Sequence, residues 1–87
     1  MELVIVSPLQ TLCSAEVDKA TFPGTVGSFT VLPGHAPLIS SLGKGTIVYS
    51  TGGRQSSVCI REGVVKVLNN KIVACVEADS GCKEEKE

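Results

Sequence analysis

Apolar and polar residues alternate over several short stretches of this chain, as they do in a β-strand with one buried face. The alternation is regular over residues 28–32, 46–51 and 56–61, whereas residues 3–6 form an unbroken apolar run typical of a strand covered on both faces. Turn residues separate the runs at Pro23-Gly24, Pro33-Gly34, Gly52-Gly53 and Asn69-Asn70. Because no stretch repeats at the helical period, the pattern predicts about seven to ten short strands in an antiparallel β-sandwich or flattened barrel.

Two stretches depart from regular alternation. Val17 and Ala20 are three residues apart within residues 15–22, which we interpret as one strand that contains a β-bulge. Glu62-Gly63 interrupts the apolar pattern of residues 56–68. We expect this interruption to end one strand before a separate strand begins at residue 64.

The segment from Pro33 to Pro37 is predicted to be a stiff turn. Pro33 presets the first central position of a type II turn, and Gly34 tolerates the positive φ that the second position requires. Ala36 precedes Pro37 and is therefore held in an extended conformation. His35, the single histidine of the chain, lies between these two constraints. Its imidazole either hydrogen-bonds within its own loop or contacts a partner.

Composition limits the chain to one small domain. Its 87 residues lie below the usual domain size of ~100–150, and 43% of them are apolar, which suffices for a core. There is no tryptophan, the net charge is −1 and the basic residues are scattered, so a nucleic-acid surface is not expected. Six of the charged residues fall within residues 1–60 and eleven within residues 61–87. The charge-poor first part predicts a protein-binding surface.

No membrane-spanning or targeting segment is predicted. Residues 20–43 carry no charge, but prolines and glycines interrupt them, and their apolar runs are too short to cross a bilayer. The N-terminal apolar run has no basic residues before it, unlike a secretory signal, and no arginine-rich leader is present. We therefore expect a cytoplasmic protein.

Few side chains could support chemistry. The chain has four cysteines but no Cys-x-x-Cys pair, and we expect Cys59 and Cys75 to fill the core. A cysteine–histidine hydrolase or a zinc site would need His35 beside a cysteine, with further ligands or an orienting group. Gly43-Lys44-Gly45 lacks both the leading glycine and the following serine or threonine of a phosphate loop. No catalytic residue, metal or cofactor is predicted.

One run of residues identifies a family. The run Val31-Leu32-Pro33-Gly34-His35-Ala36-Pro37-Leu38 resembles the signature of the epsilon subunit of F-type ATP synthases. Glu16-Val17-Asp18-Lys19 and Gly27 precede it, and Gly43-Lys44-Gly45 follows it, in the family's order, so that the match covers about residues 2–79. The resemblance implies an all-β domain over residues 1–79, a two-sheet antiparallel β-sandwich of about ten short strands. Residues 80–87 are too polar and too few to pack alone, and we expect a disordered polar tail there.

The resemblance also implies a function. Members of the family are non-catalytic rotor subunits of the central stalk, which link the gamma subunit to the membrane c-subunit ring and couple ion translocation to ATP synthesis. In bacteria they lie at the cytoplasmic face of the cell membrane without spanning it. The gamma-binding positions of the family fall on Ser7, His35, Ala36, Pro37 and Leu38. The positions that face the ring fall on Thr25, Val26, Gly27 and Ser28.

Two departures from the family pattern affect these expectations. Val26 and Ser28 occupy turn positions that are often acidic, so we expect an apolar and hydrogen-bonded ring contact in place of a salt bridge. The sequence ends where the family's C-terminal helical hairpin begins, so the inhibitory role and nucleotide site of that hairpin are not carried over. The alternatives are a free-standing β-sandwich adaptor of another complex, a small cysteine–histidine enzyme and a nucleotide-binding sandwich.

Overall fold

A computed structural model describes residues 1–79, and these residues form eight β-strands and no helix. The strands are β1 (Glu2–Val6), β2 (Thr11–Glu16), β3 (Lys19–Gly24), β4 (Gly27–Val31), β5 (Leu38–Leu42), β6 (Gly45–Thr51), β7 (Arg54–Leu68) and β8 (Lys71–Ala78). The prediction of an all-β fold is confirmed. The described part holds eight strands where about ten were expected, and the predicted tail over residues 80–87 lies outside it.

The long strand β7 connects the two layers of the fold. Its first half pairs with β6, and its second half pairs with β5 on one side and β8 on the other. We call β2, β1, β8, the second half of β7 and β5 the first layer. The second layer contains the first half of β7 with β6, β3 and β4. The buried side chains of both layers form a single hydrophobic cluster.

The predicted strand break at Glu62-Gly63 is wrong. Strand β7 runs through both residues, and a register shift between Ile60 and Glu62 bends it where it passes from one layer to the other. Gly63 pairs with Val76, and a Cβ atom at Gly63 would lie 2.6 Å from the Cys75 carbonyl oxygen. The glycine is therefore required by a close approach of two strands, and it does not mark a turn.

The predicted bulged strand over residues 15–22 is also wrong. The chain leaves the first layer after Glu16 and enters the second layer at Lys19, so the stretch belongs to two strands. Val17 lies buried between them, and the Asp18 carboxylate accepts a 2.8 Å hydrogen bond from the Gly52 N–H. Val17 and Ala20 are three residues apart because the chain passes from the first layer to the second layer between them.

One strand pair departs from the predicted antiparallel arrangement. Strands β1 and β8 are parallel, with Leu3 opposite Ile72 and Ile5 opposite Ala74, whereas every other pair in the described part is antiparallel. These four side chains are fully buried. The first and last strands of residues 1–79 therefore lie side by side, and the register places their apolar faces on the same core.

The core contains valine, leucine, isoleucine and alanine around one large aromatic residue. Phe22 is fully buried, and its ring stacks on that of Phe29 with a centroid distance of 5.6 Å. The expectation that Cys75 fills the core is wrong, because Cys75 is exposed on the outer side of β8, while Cys59 is half-buried. Within residues 1–79, the fifteen buried core residues include no polar or charged side chain.

Candidate partner interface

The loop of residues 32–37, which we call the signature loop, has the predicted type II turn. The His35 N–H donates a 3.0 Å hydrogen bond to the Leu32 carbonyl, and Gly34 has a φ of 84°. All six residues of the loop are exposed, and the half-buried Leu38 follows as the first residue of β5. The turn therefore presents a stiff, exposed segment at one end of the first layer.

The imidazole of His35 is held within the signature loop. Its Nδ1 atom donates a 2.7 Å hydrogen bond to the carbonyl of Ala36. Of the two alternatives considered for His35, the structure therefore shows the hydrogen bond within its own loop. Because the residue is also exposed, the loop leaves His35, Ala36 and Pro37 accessible to a partner.

Ser7 stabilises the turn between β1 and β2. Its Oγ atom accepts hydrogen bonds from the N–H groups of Leu9 and Gln10, at 3.3 and 3.2 Å, and donates one of 3.2 Å to the Gln10 carbonyl. Serine commonly forms such local turns. Ser7 is half-buried, and the side chain of Leu9 at the tip of the turn is 93% exposed.

The turn between β3 and β4 is attached to the end of β5. The Thr25 N–H donates a 3.2 Å hydrogen bond to the Ser41 carbonyl, and the hydroxyl groups of Thr25 and Ser41 lie 2.9 Å apart. Gly27 takes a φ of 143°, which favours glycine at the turn, and Ser28 is exposed. The side chain of Val26 is 99% exposed at the tip. The turn is thus fixed at its base and apolar at its tip.

The structure groups the predicted site residues differently from the sequence-based assignment. Ser7 follows Val6, the last residue of β1, which pairs with Cys75. Ser7 and Thr25 line the same surface groove, which has a volume of about 800 Å³. The signature loop lies at the other end of the layer, where Leu38 pairs with Val67. Four residue steps along β5, about 13 Å, separate the two ends. Ser7 is therefore close to the turn of residues 25–28 and distant from His35.

Sequence reasoning missed an apolar face that connects the two ends. On the outer side of the first layer, Ile39 is 72% exposed, Val64 is 48% exposed, and Cys75 is exposed. The same face includes the half-buried residues Val4, Val6 and Val73. Lys66 is the single charged residue within these central rows, and the strand registers place it between Ile39 and Val73. We call these seven residues the outer face.

The sequence does contain a signal for the outer face. Strands β5 and β7 each carry adjacent apolar residues, Leu38 with Ile39 and Val64 with Val65, and such doublets point one apolar side chain to each side of a sheet. The uninterrupted apolar run of β1 has the same property. Recognising the outer face would have required the register that places these residues side by side.

Two classes of site are not found in the described part of the chain. Residues 1–79 contain no group of three or more histidine, cysteine, aspartate or glutamate side chains arranged to hold a metal ion. The same residues contain no helix long and apolar enough to cross a membrane.

Comparison with known families gives a match over the whole described part of the chain. Residues 1–79 match the family described as the β-sandwich domain of the ATP synthase delta/epsilon chain. The chain belongs to this family. Curated relatives include the ATP synthase epsilon chains of Geobacter metallireducens, 36% identical over 77 residues, and Trichlorobacter lovleyi, 39% identical over 77 residues. In both cases the alignment covers 88% of this chain and 56% of the relative, so the chain spans about half of their length.

Solved structures agree with this fold of the ATP synthase delta/epsilon family. A chain in the central stalk and c-ring structure of the Tetrahymena thermophila mitochondrial ATP synthase matches with a TM-score of 0.75 and 13% identity, over 87% of this chain and 62% of that one. A chain of the Euglena gracilis mitochondrial ATP synthase, in a structure that includes the F1 part and c-ring, matches with a TM-score of 0.79 and 19% identity, over 85% and 48% of the two chains. At these identities the likeness concerns the fold.

Proposed function

We propose that this chain is a rotor subunit in the central stalk of a bacterial F-type ATP synthase, where it links the gamma subunit to the c-subunit ring. The membership of residues 1–79 in the ATP synthase delta/epsilon family supports this proposal most directly. The subunit is not itself catalytic; it couples ion translocation to ATP synthesis by keeping two interfaces from slipping. Its place is the cytoplasmic face of the cell membrane, where it is held through the complex, in line with its bacterial relatives.

The gamma subunit binds the outer face of the first layer in this proposal. Ser7 and the signature loop lie at opposite ends of that layer, so a partner that contacts both must cover the surface between them. That surface is the outer face together with Ser41, which lies opposite Val64, and Lys66 is its one charged residue. Low charge and exposed aliphatic side chains are typical of the centre of a protein interface. His35, Ala36, Pro37 and Leu38 then form one margin of the interface and Ser7 the other.

The c-subunit ring contacts the turn of residues 25–28 in this proposal. Thr25, Val26, Gly27 and Ser28 offer an exposed aliphatic side chain and hydroxyl groups in place of carboxylates. The exposed Leu9 lies in the turn between β1 and β2. This turn is close to residues 25–28, because its residues Ser7 and Pro8 line the same groove as Thr25. The ring contact is accordingly apolar and hydrogen-bonded, and its strength should depend little on salt.

The test measures binding to a catalytic head that contains gamma. The chain should co-elute with that head, and Ile39→Asp should weaken binding by roughly thirtyfold, because it puts an unpaired charge on the most exposed aliphatic position of the outer face, which the gamma subunit would bury. The double variant His35→Asp/Leu38→Asp tests the margin formed by the signature loop. Gln55→Asp is the matched control, since Gln55 is an exposed position on the half of β7 that belongs to the second layer.

The outcomes separate the proposal from its competitors. If the wild-type chain does not bind the head, the rotor function fails and the free-standing adaptor is favoured. If Ile39→Asp and Gln55→Asp bind equally well, the rotor function stands but the interface lies elsewhere. An unchanged melting temperature on addition of ATP would argue against a nucleotide-binding sandwich.

A further inference from the structure

The turn between β7 and β8 contacts the signature loop through one side chain. Asn70 Oδ1 accepts a 2.8 Å hydrogen bond from the Gly34 N–H, and the Asn70 carbonyl accepts one of 3.0 Å from the Glu2 N–H. We infer that Asn70 is a positioning residue, whose side chain holds the signature loop in the conformation that the gamma subunit binds. The role of the loop in this inference depends on the proposed function, but the contact itself does not.

The backbone position of Asn70 is fixed by its own turn and does not depend on the signature loop. Asn69 and Asn70 have φ values of 52° and 62°, in the left-handed region that asparagine tolerates better than most residues. Leu68 and Lys71 pair directly on either side of the turn. The hydrogen bond from Glu2 also ties the Asn70 backbone to the start of β1. The acceptor for Gly34 therefore belongs to the rigid end of a sheet.

The signature loop has few other restraints. Besides the bond from Gly34 to Asn70, two hydrogen bonds of the described residues involve the central part of the loop, residues 33–36. Both remain within the loop: the His35 N–H donates to the Leu32 carbonyl, and the His35 ring donates to the Ala36 carbonyl. The bond from Gly34 to Asn70 is the one that joins this central part to another element. Without it, the flanking residues Val31 and Leu38 still fix the two ends of the loop, and the type II turn still restricts its shape. No other hydrogen bond among the described residues fixes the middle of the loop relative to the sheet.

The position of the loop affects the affinity for a partner. If the hydrogen bond to Asn70 does not hold the loop in place, binding must order the loop, and this costs free energy. A hydrogen bond of this kind contributes about 1 kcal/mol net, which corresponds to a factor of about five in an equilibrium constant. Loss of the bond should raise the exchange rate of the Gly34 amide and weaken the affinity for gamma by similar factors, about three- to tenfold. The folded β-sandwich should be retained, since the backbone bond from Glu2 does not involve the side chain of Asn70.

Three variants isolate the side-chain acceptor. Asn70→Gly keeps the left-handed backbone and removes the acceptor, whereas Asn70→Asp keeps both a tolerant backbone and an oxygen at the same position. Asn69→Gly introduces the same backbone freedom one residue earlier in the turn without removing a contact to the loop. Amide exchange of Gly34 is measured by NMR in the full chain alone, and affinity is measured against a head that contains gamma.

The expected result is faster Gly34 exchange and three- to tenfold weaker binding for Asn70→Gly, with Asn70→Asp and Asn69→Gly close to wild type. Equal exchange in Asn70→Gly and wild type would overturn the inference, as would the same acceleration in Asn69→Gly. Faster exchange with unchanged affinity would overturn the positioning role. If the wild-type chain does not bind gamma, the proposed function fails, and the exchange data still decide whether Asn70 holds the loop.

Discussion

Replacing Gly63 by alanine tests the close approach of β7 and β8. The added Cβ would lie 2.6 Å from the Cys75 carbonyl oxygen and 2.9 Å from the Val76 Cα atom, and backbone atoms cannot move aside as the end of a flexible side chain can. Overpacking of this kind destabilises proteins by about 1–3 kcal/mol. Taking ~2 kcal/mol, and ~4–8 °C per kcal/mol for a domain of this size, we expect the melting temperature to fall by about 8–16 °C.

The measurement is thermal and urea unfolding of Gly63→Ala beside Gly43→Ala. Both glycines lie outside the left-handed region, but the nearest atom to a Cβ at Gly43 is the Thr25 methyl group, at 3.8 Å. Gly43→Ala should therefore be neutral, or stabilise by about 0.4–1 kcal/mol through the unfolded state. Equal midpoints for Gly63→Ala and the wild-type chain would refute the close approach and restore the interpretation of Glu62-Gly63 as a break between two strands.

Two further predictions concern stability. Phe22→Ala should reduce the free energy of unfolding by about 3–5 kcal/mol, because its ring is fully buried, and Phe29→Ala should reduce it less, because Phe29 is half-buried; equal losses in urea unfolding would contradict this order. Glu77→Gln should stabilise by about 0.2–1 kcal/mol, because Glu77 lies directly opposite Glu62 and like charges in register repel. The gain should shrink at ~1 M salt, and a lower melting temperature for Glu77→Gln would count against the repulsion.

The sequence predicted best those features that are decided by neighbouring residues. Pro33-Gly34 forms the predicted type II turn, and Asn69-Asn70 and Gly52-Gly53 form tight turns with positive φ, because these conformations depend on the residues themselves. The passage of β7 through Gly63 could not be predicted in the same way. It depends on β8 lying against that glycine, which is a contact between distant parts of the chain.

The candidate site shows the same limit. The resemblance selected His35, Leu38 and Ser7 by position in a motif, but their distances depend on strand register, and the register separates Ser7 from the signature loop. The contact of Asn70 with Gly34 was likewise not readable from the sequence, because it joins two turns that meet only in the folded sheet. Which of these residues contact gamma or the ring remains a prediction.

The parallel pairing of β1 with β8 has a consequence for synthesis on the ribosome. Strand β1 can pair with β2 once both have emerged, but its other edge has no partner until Lys71–Ala78 follows. At roughly 5–20 residues per second, that edge of the nascent chain waits for several seconds. During this time an apolar strand edge is open to other chains, and a holding chaperone or rapid elongation would protect it. Strand β8, the last strand of the described part, completes the first layer.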